Sequence, residues 1–151
     1  MSKEKAMTKE RLLSYISLRM EIENQLERLE RLKNEAKIPA IRRDDGLPGD
    51  QCKHGKMERA IIRAMEYEEA IGPMIDANRL EMQAIEDAID SLPDPMEREI
   101  LRLRYIDGDF CRHMPWKDVA LNLFGDNDER HILATYRLHG KALVSISYSK
   151  T

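Results

Sequence analysis

Two Cys-x-His pairs, Cys52-Lys53-His54 and Cys111-Arg112-His113, hold the side chains best suited to binding a metal. Together they supply four nitrogen and sulfur donors, the number a tetrahedral zinc ion takes. A single residue between ligands is an unusual spacing, and both pairs fall in stretches that read as loops, so no metal is expected. His139 could act as a general base, but no nucleophile is paired with it in the sequence. A structural or phosphate-contacting role is the expectation there. No Gly-rich phosphate loop, Ser-centred nucleophile or His-Glu-x-x-His pattern occurs. The expectation is a non-enzyme that needs no cofactor.

The charge pattern is more informative. The whole chain carries a net charge of −3, but residues 1–94 hold 16 Lys and Arg against 20 acids, whereas residues 95–151 hold 9 against 8. From Arg130 to Thr151 there is no acid at all, only Arg130, Arg137, Lys141 and Lys150, with His131 and His139 among them. Attraction to phosphate depends on that local field more than on the total.

The elements that must carry these residues read as helices. With 42% hydrophobic, 35% charged and only 5% aromatic residues, the core has to be built from Leu, Ile, Met and Ala. Between Thr8, a candidate N-cap, and Lys37, Leu12, Tyr15, Ile16, Ile22, Leu26, Leu29 and Leu32 form a helical stripe. Ile38-Pro39 ends it, since the residue before proline avoids the α region. Pro39 to Gly55 reads as a linker, rich in proline and glycine. Lys56 to Leu92 is again helical, with Met57, Ile61, Ala64, Ile71, Ile75, Met82, Ile85 and Ile89 in four-three alternation. Such a seam wants a partner helix, either the first segment or a second chain. Gly72-Pro73 predicts a kink or short break.

Three helices then follow. Asp94 caps the first, Pro95 suits its opening position and Glu97 completes a capping-box pattern, with the helix running to Ile106. After a loop from Asp107 to Met114, Pro115–Leu123 is a short helix. Phe124-Gly125-Asp126-Asn127 is a turn in which glycine can take positive φ. The last helix spans Asp128–Ile146, with Ile132, Leu133, Leu138, Ala142, Leu143 and Ile146 as its apolar face. Tyr105 is expected to pack on that helix, and Trp116 to anchor the core. A short helix, a tight turn and a longer helix make the outline of a helix-turn-helix. In that reading Asn127, Arg130 and His131 face bases, and Thr135, Arg137 and Lys141 face the DNA backbone. Asp126, Asp128 and Glu129 oppose it, because they would meet phosphates.

Leu92-Pro93-Asp94-Pro95, Arg98-Glu99-Ile100-Leu101-Arg102-Leu103-Arg104-Tyr105-Ile106-Asp107-Gly108, Trp116-Lys117-Asp118-Val119-Ala120 and Tyr136-Arg137-Leu138-His139-Gly140-Lys141-Ala142-Leu143 resemble the ArpU/RinA-type late-gene transcription regulators of phages. The C-terminal part of that family is similar to the fourth conserved region of bacterial sigma factors, which reads promoter DNA. The family's serine at the turn is replaced here by an Asp/Asn run. The resemblance implies a phage or prophage late-gene (packaging or lysis) activator that binds double-stranded DNA in the bacterial cytoplasm.

The expected fold is all-α. Residues 1–92 form a long, coiled-coil-like helical hairpin with its loop at 38–55, and residues 93–151 form a three-helix DNA-binding domain. The hairpin is expected to dimerise the chain or to dock RNA polymerase. Two rivals are a small-terminase-like component of phage DNA packaging and a protein that binds RNA polymerase or a sigma factor without touching DNA. Two cysteines are too few for a disulfide scaffold, no apolar run approaches a membrane span, and the polar start from Met1 to Arg11 has no signal core. A cytoplasmic location is therefore expected.

Overall fold

The computed structural model describes residues 6–37, 50–109 and 111–148, with the side chains of residues 50–54 left out. Among the described residues all regular structure is helical. Helix α1 spans Lys9–Lys37 and α2 spans Asp50–Asp90. Helix α3, Pro95–Leu101, runs into a π-helical turn, Arg102–Ile106. Helix α4 is Trp116–Phe124 and α5 is Glu129–Ser147.

Local chemistry accounts for most of these boundaries. The Thr8 carbonyl accepts from the Leu12 amide at 3.1 Å, and its hydroxyl accepts from the Arg11 amide at 3.3 Å, so Thr8 caps α1. Asp94 accepts from the Met96 amide at 2.9 Å and Pro95 follows as the first helical residue, as the sequence predicts. Gly125 ends α4 at φ 74, the left-handed conformation that glycine adopts without steric cost.

Three expectations need correcting. The linker expected over Pro39–Gly55 is already helical from Asp50; residues 38–49 lie outside the described residues. No break occurs at Gly72-Pro73, and α2 is helical through it. Proline there leaves the Glu69 carbonyl without its usual donor, but Glu69 and Pro73 are both exposed, so water can serve it. The helix from Pro95 to Ile106 is not uniform, because its last turn widens so that the Asp107 amide reaches back to the Arg102 carbonyl at 2.9 Å.

The chain divides into two compact units, and the division is not at residue 92. One unit joins residues 1–20 to residues 79–151; the other is residues 21–78. The reason is a single shared core in the first unit. Met7, Leu12, Tyr15 and Ile16 from the N-terminal end pack with Ile85, Ala88 and Ile89 of α2, and with Ile100, Leu101, Tyr105, Val119, Ala142 and Ile146. Polar clamps reinforce it. Arg11 pairs with Glu81 at 2.7 Å, Tyr15 donates to Glu86, and Arg19 donates to the carbonyl of Ile106 at the end of the π-helical turn and to those of Gly108 and Asp109 just beyond it. Gly108 is required there, since a Cβ would lie 2.3 Å from the Arg112 carbonyl oxygen.

The second unit buries fewer apolar side chains: Ile22, Leu29, Ala64, Ile71 and Ile75. Its edges are polar, with Lys33 to Glu68 at 3.4 Å, Asn78 to Glu21 at 3.3 Å and Arg28 over the Tyr67 ring. An open apolar groove of about 440 Å³ lies in it, lined by Ala36, Met57, Ile61 and Met65 between Lys33 and Glu68. No described helix is long and apolar enough to cross a membrane.

Candidate functional site

Helices α4 and α5 meet at the turn from Gly125 to Asp128, and α5 packs against both α3 and α4. The turn is built by its own carboxylates. Asp126 accepts from the Asp128 amide at 3.1 Å, and Asp128 caps α5 by accepting from the His131 amide at 2.9 Å. His131 Nδ1 also contacts Asp128, and its ring lies 5.6 Å from that of Phe124. The backbone hydrogen bond from His131, followed by the bond to the His131 side chain, holds the Asp128 carboxyl below its ordinary range. The acids that seemed to oppose anion binding are thus in part the caps that start α5. Asp126, Asp128 and His131 also bring three ligand atoms within 4.8 Å of one another, a grouping that sequence reasoning did not single out.

One face of α5 points inward. Thr135, His139, Ala142 and Ile146 are its buried residues, spaced four, three and four apart. At about 100° per residue they form one narrow stripe. His139 is only 8% exposed. Its Nε2 is hydrogen-bonded to the Tyr105 hydroxyl at 2.6 Å, and the Trp116 ring stands edge-on to it at 4.7 Å. Arg104 lies over the Trp116 ring at 4.3 Å and donates to the Met114 carbonyl at 2.6 Å. Burial, helped by the charges of Lys9 and Arg104, pushes the His139 imidazole down to about 4, so it is neutral at pH 7. Burial likewise raises the Tyr105 hydroxyl and lowers His113, whose ring stands edge-on to Tyr105 at 6.0 Å. The cluster therefore ties the π-helical turn and α4 to α5, which is the structural role expected of His139, Tyr105 and Trp116.

The opposite face of α5 points outward. Asn127, just before the helix, and Arg130, Arg137 and Lys141 on it are all exposed. None of the ion pairs among the described residues engages these three cations. They share the outer arc with Leu133, Gly140 and Val144. The structure thus brings Arg130, Arg137 and Lys141 to one side, with Asn127 exposed in the preceding turn and His131 half-buried and committed to Asp128.

Two sequence assignments do not survive. Thr135 cannot reach a DNA backbone, because it is fully buried and its hydroxyl donates to the His131 carbonyl at 2.8 Å. Leu133, assigned to the inward face, is 50% exposed. It lies two residues from Thr135, which on a helix places it on nearly the opposite side. Tyr136 and Val144 are exposed as well, and the Tyr136 ring rests edge-on against Trp116 at 5.2 Å. Cys111 is exposed, and the side chains of Cys52 and His54 lie outside the described residues. Compared with models of protein families, with curated proteins and with solved structures, the chain finds no match.

Proposed function

We propose that the chain is a sequence-specific DNA-binding transcription regulator of the phage late-gene type. In this reading, α4, the Gly125 turn and α5 act as a helix-turn-helix, and the antiparallel pairing of α1 with α2 supplies a hairpin for a second copy or for RNA polymerase. One observation carries the proposal. Arg130, Arg137 and Lys141 lie exposed along the outer face of the helix that follows the turn, on a stretch of chain with no acid after Glu129. Arginine matches the paired acceptors of guanine and the oxygens of phosphate, and lysine adds a point charge. Helix-turn-helix proteins place the first turns of this helix in the major groove, which is where Asn127 and Arg130 stand.

A second reading, a protein-binding module without DNA contact, draws on exposed Leu133 and Val144 on the outer face of α5 and on exposed Leu121 and Phe124 of α4. Fluorescence anisotropy with a labelled random-sequence duplex at low salt separates the two. The DNA reading expects binding that weakens steeply with salt and that drops at least tenfold in the double variant Arg130→Ala, Lys141→Ala. No binding at low salt, or equal binding by the variant, removes it.

A further inference from the structure

Leu133 and Val144 are apolar residues of α5 that the core does not use, and Leu133 is the one that lies near the turn. It is half-exposed in the second turn of a helix whose inward stripe is complete without it. Its neighbours on the outer arc are Arg130, three residues before, and Arg137, four residues after. At about 100° per residue, all three fall within an arc of about 60°. Arg130, Leu133 and Arg137 therefore make a stripe in which an apolar side chain stands between two guanidinium groups. The nearby exposed aromatic, Tyr136, is held against Trp116, so Leu133 is the freer apolar probe.

In the major groove the apolar feature is the C5-methyl group of thymine, while arginine pairs with the O6 and N7 acceptors of guanine. The two guanidinium groups on the same arc as Leu133 fit the charge of a duplex. Resting on the DNA-binding reading above, we infer that Leu133 is a specificity-determining residue that packs on a thymine methyl, between guanines read by Arg130 and Arg137. Half-exposed apolar surface on Leu133 and the methyl group would leave water together, while the cations hold the register.

The test removes the methyl and the leucine separately. A duplex is selected by the wild-type chain from a random-sequence pool, and copies are made with each thymine replaced in turn by uracil, which lacks only the methyl. The wild-type chain should bind about three- to fivefold more weakly when one core thymine is replaced, the value of one buried methyl group. Leu133→Ala should bind the thymine and uracil copies equally, with its helical circular dichroism unchanged because the residue is exposed. The inference is overturned if the selected core contains no thymine, if no replacement weakens wild-type binding, or if Leu133→Ala loses as much as the wild type. Failure of the wild-type chain to select any duplex at low salt instead overturns the DNA-binding reading, and this inference with it.

Discussion

The two faces of α5 differ in both burial and charge. Inward, Thr135, His139, Ala142 and Ile146 are buried, and each polar group among them has a partner: the Thr135 hydroxyl on the His131 carbonyl, the His139 ring on Tyr105. Outward, Arg130, Arg137 and Lys141 stand exposed beside Leu133 and Val144, which the core does not use. The inward face is explained by this chain alone. The outward face combines charge and apolar surface that the core does not use. Substitutions on the two faces should therefore separate stability from binding.

The largest effect belongs to the inward side. Ile146 is fully buried, so Ile146→Ala should lower the unfolding free energy by about 2–5 kcal/mol through lost burial and the cavity left behind. Urea unfolding measures it, and a loss below about 1 kcal/mol would mean that the inward face is not the packed one.

The pH dependence comes next. The unfolded chain binds a proton at His139 near 6.5, whereas the folded one refuses it until about 4. Above pH 6.5 both states are neutral at this site and nothing is lost. As pH falls from 6.5 towards 4 the unfolded state gains the proton first, so stability drops by about 2–3 kcal/mol, and below that window the loss is complete. Unfolding curves at pH 7 and pH 4.5 for the wild type and His139→Gln should show a smaller drop for the glutamine variant. Equal drops would indicate that the imidazole is not buried.

On the outward side, the triple variant Arg130→Ala, Arg137→Ala, Lys141→Ala should keep its unfolding free energy within about 0.5 kcal/mol. Its duplex affinity should change instead, with the slope of log affinity against log salt falling by about 1 for the phosphate that Lys141 meets, and the rest of the loss coming from the two arginines' base contacts. A variant that unfolds more easily while binding as before would invert the comparison. The smallest effect is at Gly140, where an added Cβ would meet nothing within 4 Å. Gly140→Ala should stabilise the protein by about 0.5–1 kcal/mol, seen as a higher Tm, because alanine costs less than glycine in a helix interior.

Much of the helical outline is legible in the residues. Thr8, Asp94-Pro95, Gly125 and Asp128 mark helix ends through bonds each makes with its immediate neighbours, so short-range patterns suffice to find them. At Pro73 the expected break does not occur: the carbonyl that proline frees lies on an exposed stretch where water can serve it, which only burial reveals. The widened turn at Arg102–Ile106 leaves no local signature either: Arg19, more than 80 residues away, donates to the carbonyl of Ile106 at its end and to that of Gly108 just beyond it.

Site assignment divides in the same way. Arg130, Arg137 and Lys141 are found from charge alone, since long cationic side chains seldom go inside without a partner. Thr135 and Leu133 are exchanged because residue type outweighs helical angle: Ile132, Leu138, Ala142, Leu143 and Ile146 share one arc, which contains Thr135 and leaves Leu133 outside. Which stripe turns inward is decided where Tyr105 and Trp116 meet His139.

The sequence by itself determined the helical class, most helix ends and the concentration of unopposed positive charge after Glu129, because periodicity, capping and charge act over a few residues. Only the tertiary structure decided that the N-terminal end of α1 and the C-terminal end of α2 join the C-terminal core, and which side of α5 remains outside. Those outcomes depend on contacts between residues 70–90 positions apart, as in Arg11 with Glu81 and Arg19 with Ile106, and no local pattern encodes such a pairing.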